Sequence, residues 1–220
     1  MKRADLYSYS EGDKFKGKST KEIFSDIEKN NTWLEKESVS GIGSSLIQTK
    51  EIIIKLPSIL KELNINTIFD IPCGDFNWFK NINLSKMIYL GGDIVENIVT
   101  RNNQFFGKSN VSFINFNLIE DKIDLFDLIF CRDCLVHFSI EDILRTIKNV
   151  KNSKSKYLIT TTFPDEDNNT NIQTGGWRPI NLEKAPFNFP EPKYLLNEKC
   201  TEMDDVFKDK SLGVWEIKKI

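Results

Sequence analysis

Several places along the chain carry residue types that could bind or transform a ligand. The run Thr67–Ile71 ends in a turn, Pro72-Cys73-Gly74-Asp75, that cannot comfortably continue a strand. Gly74 lets a ligand approach the backbone, because it carries no side chain. Asp93 follows at nearly the ~20-residue interval that separates a nucleotide-binding glycine turn from an acid able to accept hydrogen bonds from both hydroxyls of a ribose.

Further along stand Arg132, Asp133 and His137, the only histidine in the chain. Asp133 could orient a substrate hydroxyl or amine, or simply pair with Arg132 or Arg145. His137 has a pKa range suited to a general base near neutrality; the alternative is packing beneath a helix cap. Arg178, in TGGWRP, offers a guanidinium fork that matches carboxylate or phosphate, and Trp177 could close over a substrate ring. The alternative for both is packing against their own domain. Asp165, Glu166 and Asp167 form either a magnesium-holding cluster or a solvated acidic turn, and the second is preferred, so no metal is expected. Cys131 and Cys134 make a CxxC with no second pair, which reads as two half-buried thiols at a strand end and not as a zinc site.

These residues need a scaffold. Apolar runs predict strands at Thr67–Ile71, Met87–Leu90, Val111–Asn115, Leu125–Cys131, Tyr157–Thr162, Tyr194–Glu198 and Ser211–Ile217. Between them, Val95–Phe106 reads as a helix. So does the segment after Ser139, where Ser139–Asp142 forms a capping box and Ile140, Ile143, Leu144, Ile147 and Val150 recur at helical spacing. An earlier helix starts at Ser19, whose box partner is Glu22, and stops near Asn30. The loop SVSGIGSS then leads into a helix from Leu46 to about Lys55, and Pro57 opens a second, short helix ending near Asn64. Backbone amides at the start of the Leu46 helix could hold a carboxylate or phosphate, or the loop could be a flexible connection capped by Ser44. Strands alternating with helices predict a doubly wound α/β sheet with ligands at the carboxyl ends of its strands. Residues 164–192 have no period but much Gly, Pro, Asn and aromatic residue, as in a functional loop.

In these stretches the chain resembles the class I S-adenosylmethionine-dependent methyltransferases. FDIPCGDFNW stands as the family's first motif, GGDIV as its second, FINFNLIE as its third and FDLIFCRDCLVHFS as its fourth. Pro72 and Phe76 stand where many members have glycine, and Asn117 where many have aspartate. The resemblance implies a Rossmann-like methyltransferase fold, a mostly parallel seven-stranded sheet with a C-terminal antiparallel strand. Residues 64–220 would form the core, with a substrate loop at 164–192, and residues 1–63 an arm and helices packing on or capping the cofactor site. It also implies S-adenosyl-L-methionine as cofactor. Asp70, Pro72, Cys73 and Gly74 would line its methionine part, Asp93 and Ile94 its ribose, Asn117 and Leu118 its adenine, and Cys131 the same pocket. Arg132, Trp177 and Arg178 would meet substrate, and Asp133 and His137 would serve catalysis.

The reaction so implied is O-methylation, or less readily N-methylation, of a small polar acceptor, sugar-like or phosphate-bearing if Arg178 grips an anion. Two other readings remain open: a catalytically silent methyltransferase-like subunit, motivated by Pro72, Phe76 and Asn117, and a nicotinamide-dependent Rossmann enzyme, weakened by the missing GxGxxG. Composition fits one globular domain, with 40% hydrophobic residues and a net charge of −2. That balance offers no basic stripe to recommend a nucleic-acid partner. The start MKRADLYSYSEGDKF lacks the apolar core of a signal peptide and no stretch approaches the ~20 apolar residues of a membrane span, so a cytoplasmic location is expected. The arm Lys2–Lys18, polar and aperiodic, is expected to be loose or partner-dependent.

Overall fold

Near-continuous apolar runs build the centre of the sheet, where parallel strands covered on both faces tolerate few polar residues. The computed structural model describes residues 15–33 and 35–220, so most of the arm expected over Lys2–Lys18 lies outside the described residues. Seven strands, β1 (Thr67–Asp70), β2 (Ile88–Asp93), β3 (Val111–Asn115), β4 (Leu128–Cys131), β5 (Tyr157–Thr162), β6 (Tyr194–Asn197) and β7 (Ser211–Glu216), form one sheet in the order β3-β2-β1-β4-β5-β7-β6. Strands β1 to β5 pair in parallel, and β7 runs antiparallel to both β5 and β6. The Rossmann-like order is therefore as expected. The strand order reverses between β1 and β4, and the crevice beyond their carboxyl ends is where such sheets bind ligands.

The longer helices among the described residues are α1 (Thr20–Lys29), α2 (Leu46–Glu62), α3 (Glu96–Phe106) and α4 (Ile140–Asn152). The Ser19–Glu22 capping box forms, with both reciprocal bonds present. At α4 only half of the expected box does. Ser139 accepts from the Asp142 amide, but Thr174 inserts its hydroxyl between the Ser139 amide (2.9 Å) and the Asp142 carboxylate (2.6 Å), tying the later loop to the helix start.

Two sequence boundaries shift. The expected pair of helices around Pro57 is one continuous helix, α2, with Pro57 inside it. Ile52, Leu56 and Leu60 lie fully buried at i, i+4 spacing across the proline, and their common face offsets the lost backbone bond. Strand β4 starts at Leu128 and not at Leu125. Leu125 is exposed, and Asp127 instead turns its carboxylate to the amides of Asn66 and Thr67 at the start of β1.

One core lies on the α2 and α3 side of the sheet, around Leu56, Phe79, Tyr89 and Phe130. The other, on the α4 side, includes Ile180, Leu182, Phe187 and Phe189 from the segment 164–192, which is a packed cover although it has no helix or strand. No helix among the described residues is long and apolar enough to cross a membrane.

Candidate functional site

The turn after β1 and the end of β2 meet directly. The Gly74 amide donates to Asp93 Oδ2 at 3.1 Å, and the Val95 amide to Asp93 Oδ1 at 2.9 Å. Each carboxylate oxygen keeps acceptor capacity after these bonds. Asp93 is buried, and desolvation raises its pKa to about 6 against the opposing backbone amides. Gly74 has φ of +53°, and a Cβ there would stand 2.2 Å from Ser40 Oγ, so both conformation and space require glycine. Phe76 also has a positive φ, of 58°, the conformation a glycine would hold without strain. Its ring compensates by packing on Phe79, Tyr89, Phe106 and Phe113.

These groups border a cavity of about 350 Å³, within the ~300–1,000 Å³ span of small-molecule sites. Asp70, Pro72, Cys73, Gly74, Asp93, Ile94, Asn117 and Leu118 all line it, as do Arg132, Asp133, His137 and Trp177. The Asp70 carboxylate accepts the Tyr89 hydroxyl at 2.5 Å, and burial raises its pKa to about 8 against that bond. Asn117 is more engaged than expected: its Oδ1 accepts the Ile119 amide and its Nδ2 donates to Glu120, while Phe116 and Leu118 supply apolar wall beside it.

Two expected site residues do not reach the cavity. Cys131 belongs to the α4-side core, and Cys134 lines the cavity in its place. Arg178 is buried beneath the wall. Its Nη1 donates to the carbonyls of Leu135 and Val136, its Nη2 to Phe138 and its Nε to Thr170, so its fork clamps the backbone that carries His137 and cannot grip a substrate anion.

At the end of β4 a buried ion cluster takes shape. Arg132 donates twice to Glu198, at 3.0 and 2.8 Å, and once to the Gly43 carbonyl at 2.8 Å, and its guanidinium lies 5.6 Å from the Trp78 ring centre. Asp133 Oδ2 is 2.6 Å from Lys210 and 3.3 Å from Arg132, while its Oδ1 accepts the Thr161 hydroxyl. Burial alone would raise the Asp133 pKa, but the charges of Arg132 and Lys210 outweigh it and hold it well below the usual carboxylate range. Asp133 is thus a fixed anion and a poor base.

His137 is placed otherwise. Its Nδ1 lies 2.7 Å from the Gly176 carbonyl, which requires a proton on Nδ1 and leaves Nε2 as an acceptor. Burial lowers its pKa against the pull of that carbonyl, which favours the neutral ring.

The segment before α2 forms much of the remaining wall, with Trp33, Val39, Ser40 and Gly43, joined by Phe24 of α1. The carboxylate at the start of α2 is the chain's own: Glu37 accepts the Leu46 amide at 2.8 Å, and Ser44 makes no cap. Ser38 and Val39 donate to Asp75, fastening this segment onto the β1 turn. Glu198, Glu202 and Lys210 lie far from the motif stretches, and only the fold reveals them as wall or cluster residues. Among the described residues no group of three or more His, Cys, Asp or Glu is arranged to hold a metal ion.

No family model matches the chain, and neither does any curated protein. Solved structures match its fold. Magnesium protoporphyrin IX methyltransferase (ChlM) from Synechocystis, with bound SAH, is 14% identical over 67% of this chain and 72% of that one, at a TM-score of 0.51. The N-methyltransferase NodS from Bradyrhizobium japonicum, in complex with S-adenosyl-L-homocysteine, is 12% identical over 63% and 72%, also at 0.51. An S-adenosylmethionine-dependent methyltransferase from Clostridium acetobutylicum is 18% identical over 56% of each chain, at 0.46. The match spans less than two thirds of that protein, and 59% of the PH0226 protein of Pyrococcus horikoshii. At these identities the likeness shows the fold alone, a Rossmann-like fold shared with ChlM and NodS.

Proposed function

We propose that this chain binds S-adenosylmethionine in the cavity between β1 and β4 and methylates a hydroxyl of a small-molecule acceptor. The observation that carries the reading is the Gly74–Asp93 bond. It joins the β1 turn to a buried carboxylate that keeps acceptor sites for a vicinal diol, on the same cavity that His137 lines.

The residues present fit the cofactor. Asp93 would hold the ribose, Ile94, Phe116 and Leu118 offer apolar wall to the adenine, and the glycine turn leaves room for close backbone approach. The cationic sulfonium suits a lining that includes the Asp93 carboxylate. When bound, the cofactor would supply an electrophilic methyl and a neutral thioether leaving group. The chain's residues then hold and align the two reactants, exclude water and receive a proton. His137 Nε2 takes that proton from the hydroxyl, while Asp133 keeps its charge and gives the β4 end its shape. Val39 and Ser40, in the segment before α2, are bonded to Asp75 and cover the β1 turn at the cofactor end of the cavity.

Calorimetry with S-adenosylmethionine and S-adenosylhomocysteine tests the reading. Saturable binding of both is expected, and binding of neither would contradict it. Tight binding without turnover on a broad acceptor panel would instead support a silent subunit.

A further inference from the structure

The cavity beyond His137 is walled by rings. Trp33 lies against the imidazole with ring centres 5.2 Å apart, and Phe24 meets it edge-on at 6.4 Å. Trp177 meets Phe207 at 4.9 Å and Phe163 at 6.1 Å. His137 joins the two groups, since the Gly176 carbonyl that fixes its tautomer immediately precedes Trp177. Rings in these edge and tilted arrangements present faces and edges that favour another planar ring.

The polar groups of this region point the same way. Lys210 is paired with Asp133 and Glu198, and Arg132 with the same two acids, so both cations of the wall are engaged. Glu202, whose nearest partners are Cys200 Sγ at 3.6 Å and Lys210 at 4.0 Å, adds negative charge. A phosphate would meet these carboxylates with no unengaged cation among the described lining residues. A buried sugar would need a partner for each of its hydroxyls, and each one left unmet weakens binding.

We infer that the acceptor is a planar aromatic compound bearing a hydroxyl and no anionic group, its ring against Trp33, Phe24, Trp177 and Phe207 and its hydroxyl presented to His137. This rests on the methyl-transfer reading and replaces the sugar-like or phosphate-bearing acceptor expected from Arg178.

The test uses the full chain saturated with S-adenosylhomocysteine and titrated with catechol, glucose, glucose 6-phosphate and benzylamine, followed by tryptophan fluorescence and heat. Catechol is expected to bind saturably, more tightly than the other three. Trp177→Leu or Trp33→Leu should weaken catechol by about tenfold or more, the scale of one lost aromatic contact, and leave S-adenosylhomocysteine within about threefold. The inference is overturned if catechol does not saturate, if any of the other three binds more tightly, or if neither substitution moves catechol affinity. Failure of S-adenosylhomocysteine itself to bind would overturn the underlying reading, and is seen before any acceptor is added.

Discussion

His137 Nδ1 and the Gly176 carbonyl stand 2.7 Å apart, and this contact sets the tautomer that leaves Nε2 free to accept a proton. The carbonyl belongs to the cover segment 164–192, and the backbone bearing His137 is clamped by Arg178 from the same segment. The cover therefore orients the imidazole that we propose as the base.

Replacing that base should separate chemistry from binding. His137→Gln is expected to lower kcat by about 10²–10⁴, the usual span for general-base removal, with S-adenosylhomocysteine affinity little changed. Because burial lowers the His137 pKa from its ordinary 6.5, the wild-type rate should rise with pH through a midpoint below 6.5 and then level off. A pH–rate profile checks this, and the acidic limb should vanish in the variant.

The Arg178 clamp predicts a structural phenotype. Arg178→Ala leaves buried carbonyls of Leu135, Val136 and Phe138 without their donor and should destabilise the fold by about 2–4 kcal/mol. Urea denaturation measures it. A substrate-gripping arginine would instead change KM with stability intact.

Lys210 holds Asp133 ionised, and its loss should appear in acid. In the wild type the depressed Asp133 pKa adds stability that is fully present above the unfolded value of about 4 and is lost as pH falls through the native value. Lys210→Met removes one of the two cations that depress it, so this loss should begin at higher pH. At pH 7 the variant should be less stable by about 3–5 kcal/mol, the cost of breaking a buried pair. Denaturation midpoints from pH 3 to 7 provide the comparison.

Asp70 should behave in the opposite sense. Its native pKa is raised from 3.8 to about 8, so the fold favours the protonated acid and stability falls as pH rises between those values. Asp70→Asn keeps an oxygen for the Tyr89 hydroxyl and removes the titration. The variant should match the wild type near pH 4 and exceed it at pH 8 by about 1–3 kcal/mol in the absence of ligand. An equal pH slope in the two proteins would show that Asp70 does not titrate in this range.

Much of this arrangement was legible in the sequence, because the periodic runs are strong where both sheet faces are buried. The interval from Gly74 to Asp93 reported a real contact, and His137 and Trp177 do face the cavity. Arg178 misled for a physical reason: an arginine in a polar loop looks exposed, yet its five donors are just what a bare run of carbonyls can draw inward. For Asp133 and Arg132 the sequence left a site role and mutual pairing both open, because Glu198 and Lys210, which complete the cluster, arrive from the two ends of the β6–β7 connection more than sixty residues later. Pro57 looked like a helix boundary, since local propensity carries no information on the buried face that spans it.

The most direct test of the central claim is calorimetry with S-adenosylhomocysteine on the wild type and on Asp93→Ala. One saturable site is expected in the wild type, weakened about 10–100-fold in the variant by loss of the charge-assisted hydrogen bonds to the ribose. No binding to the wild type, or the same affinity in both proteins, would contradict it.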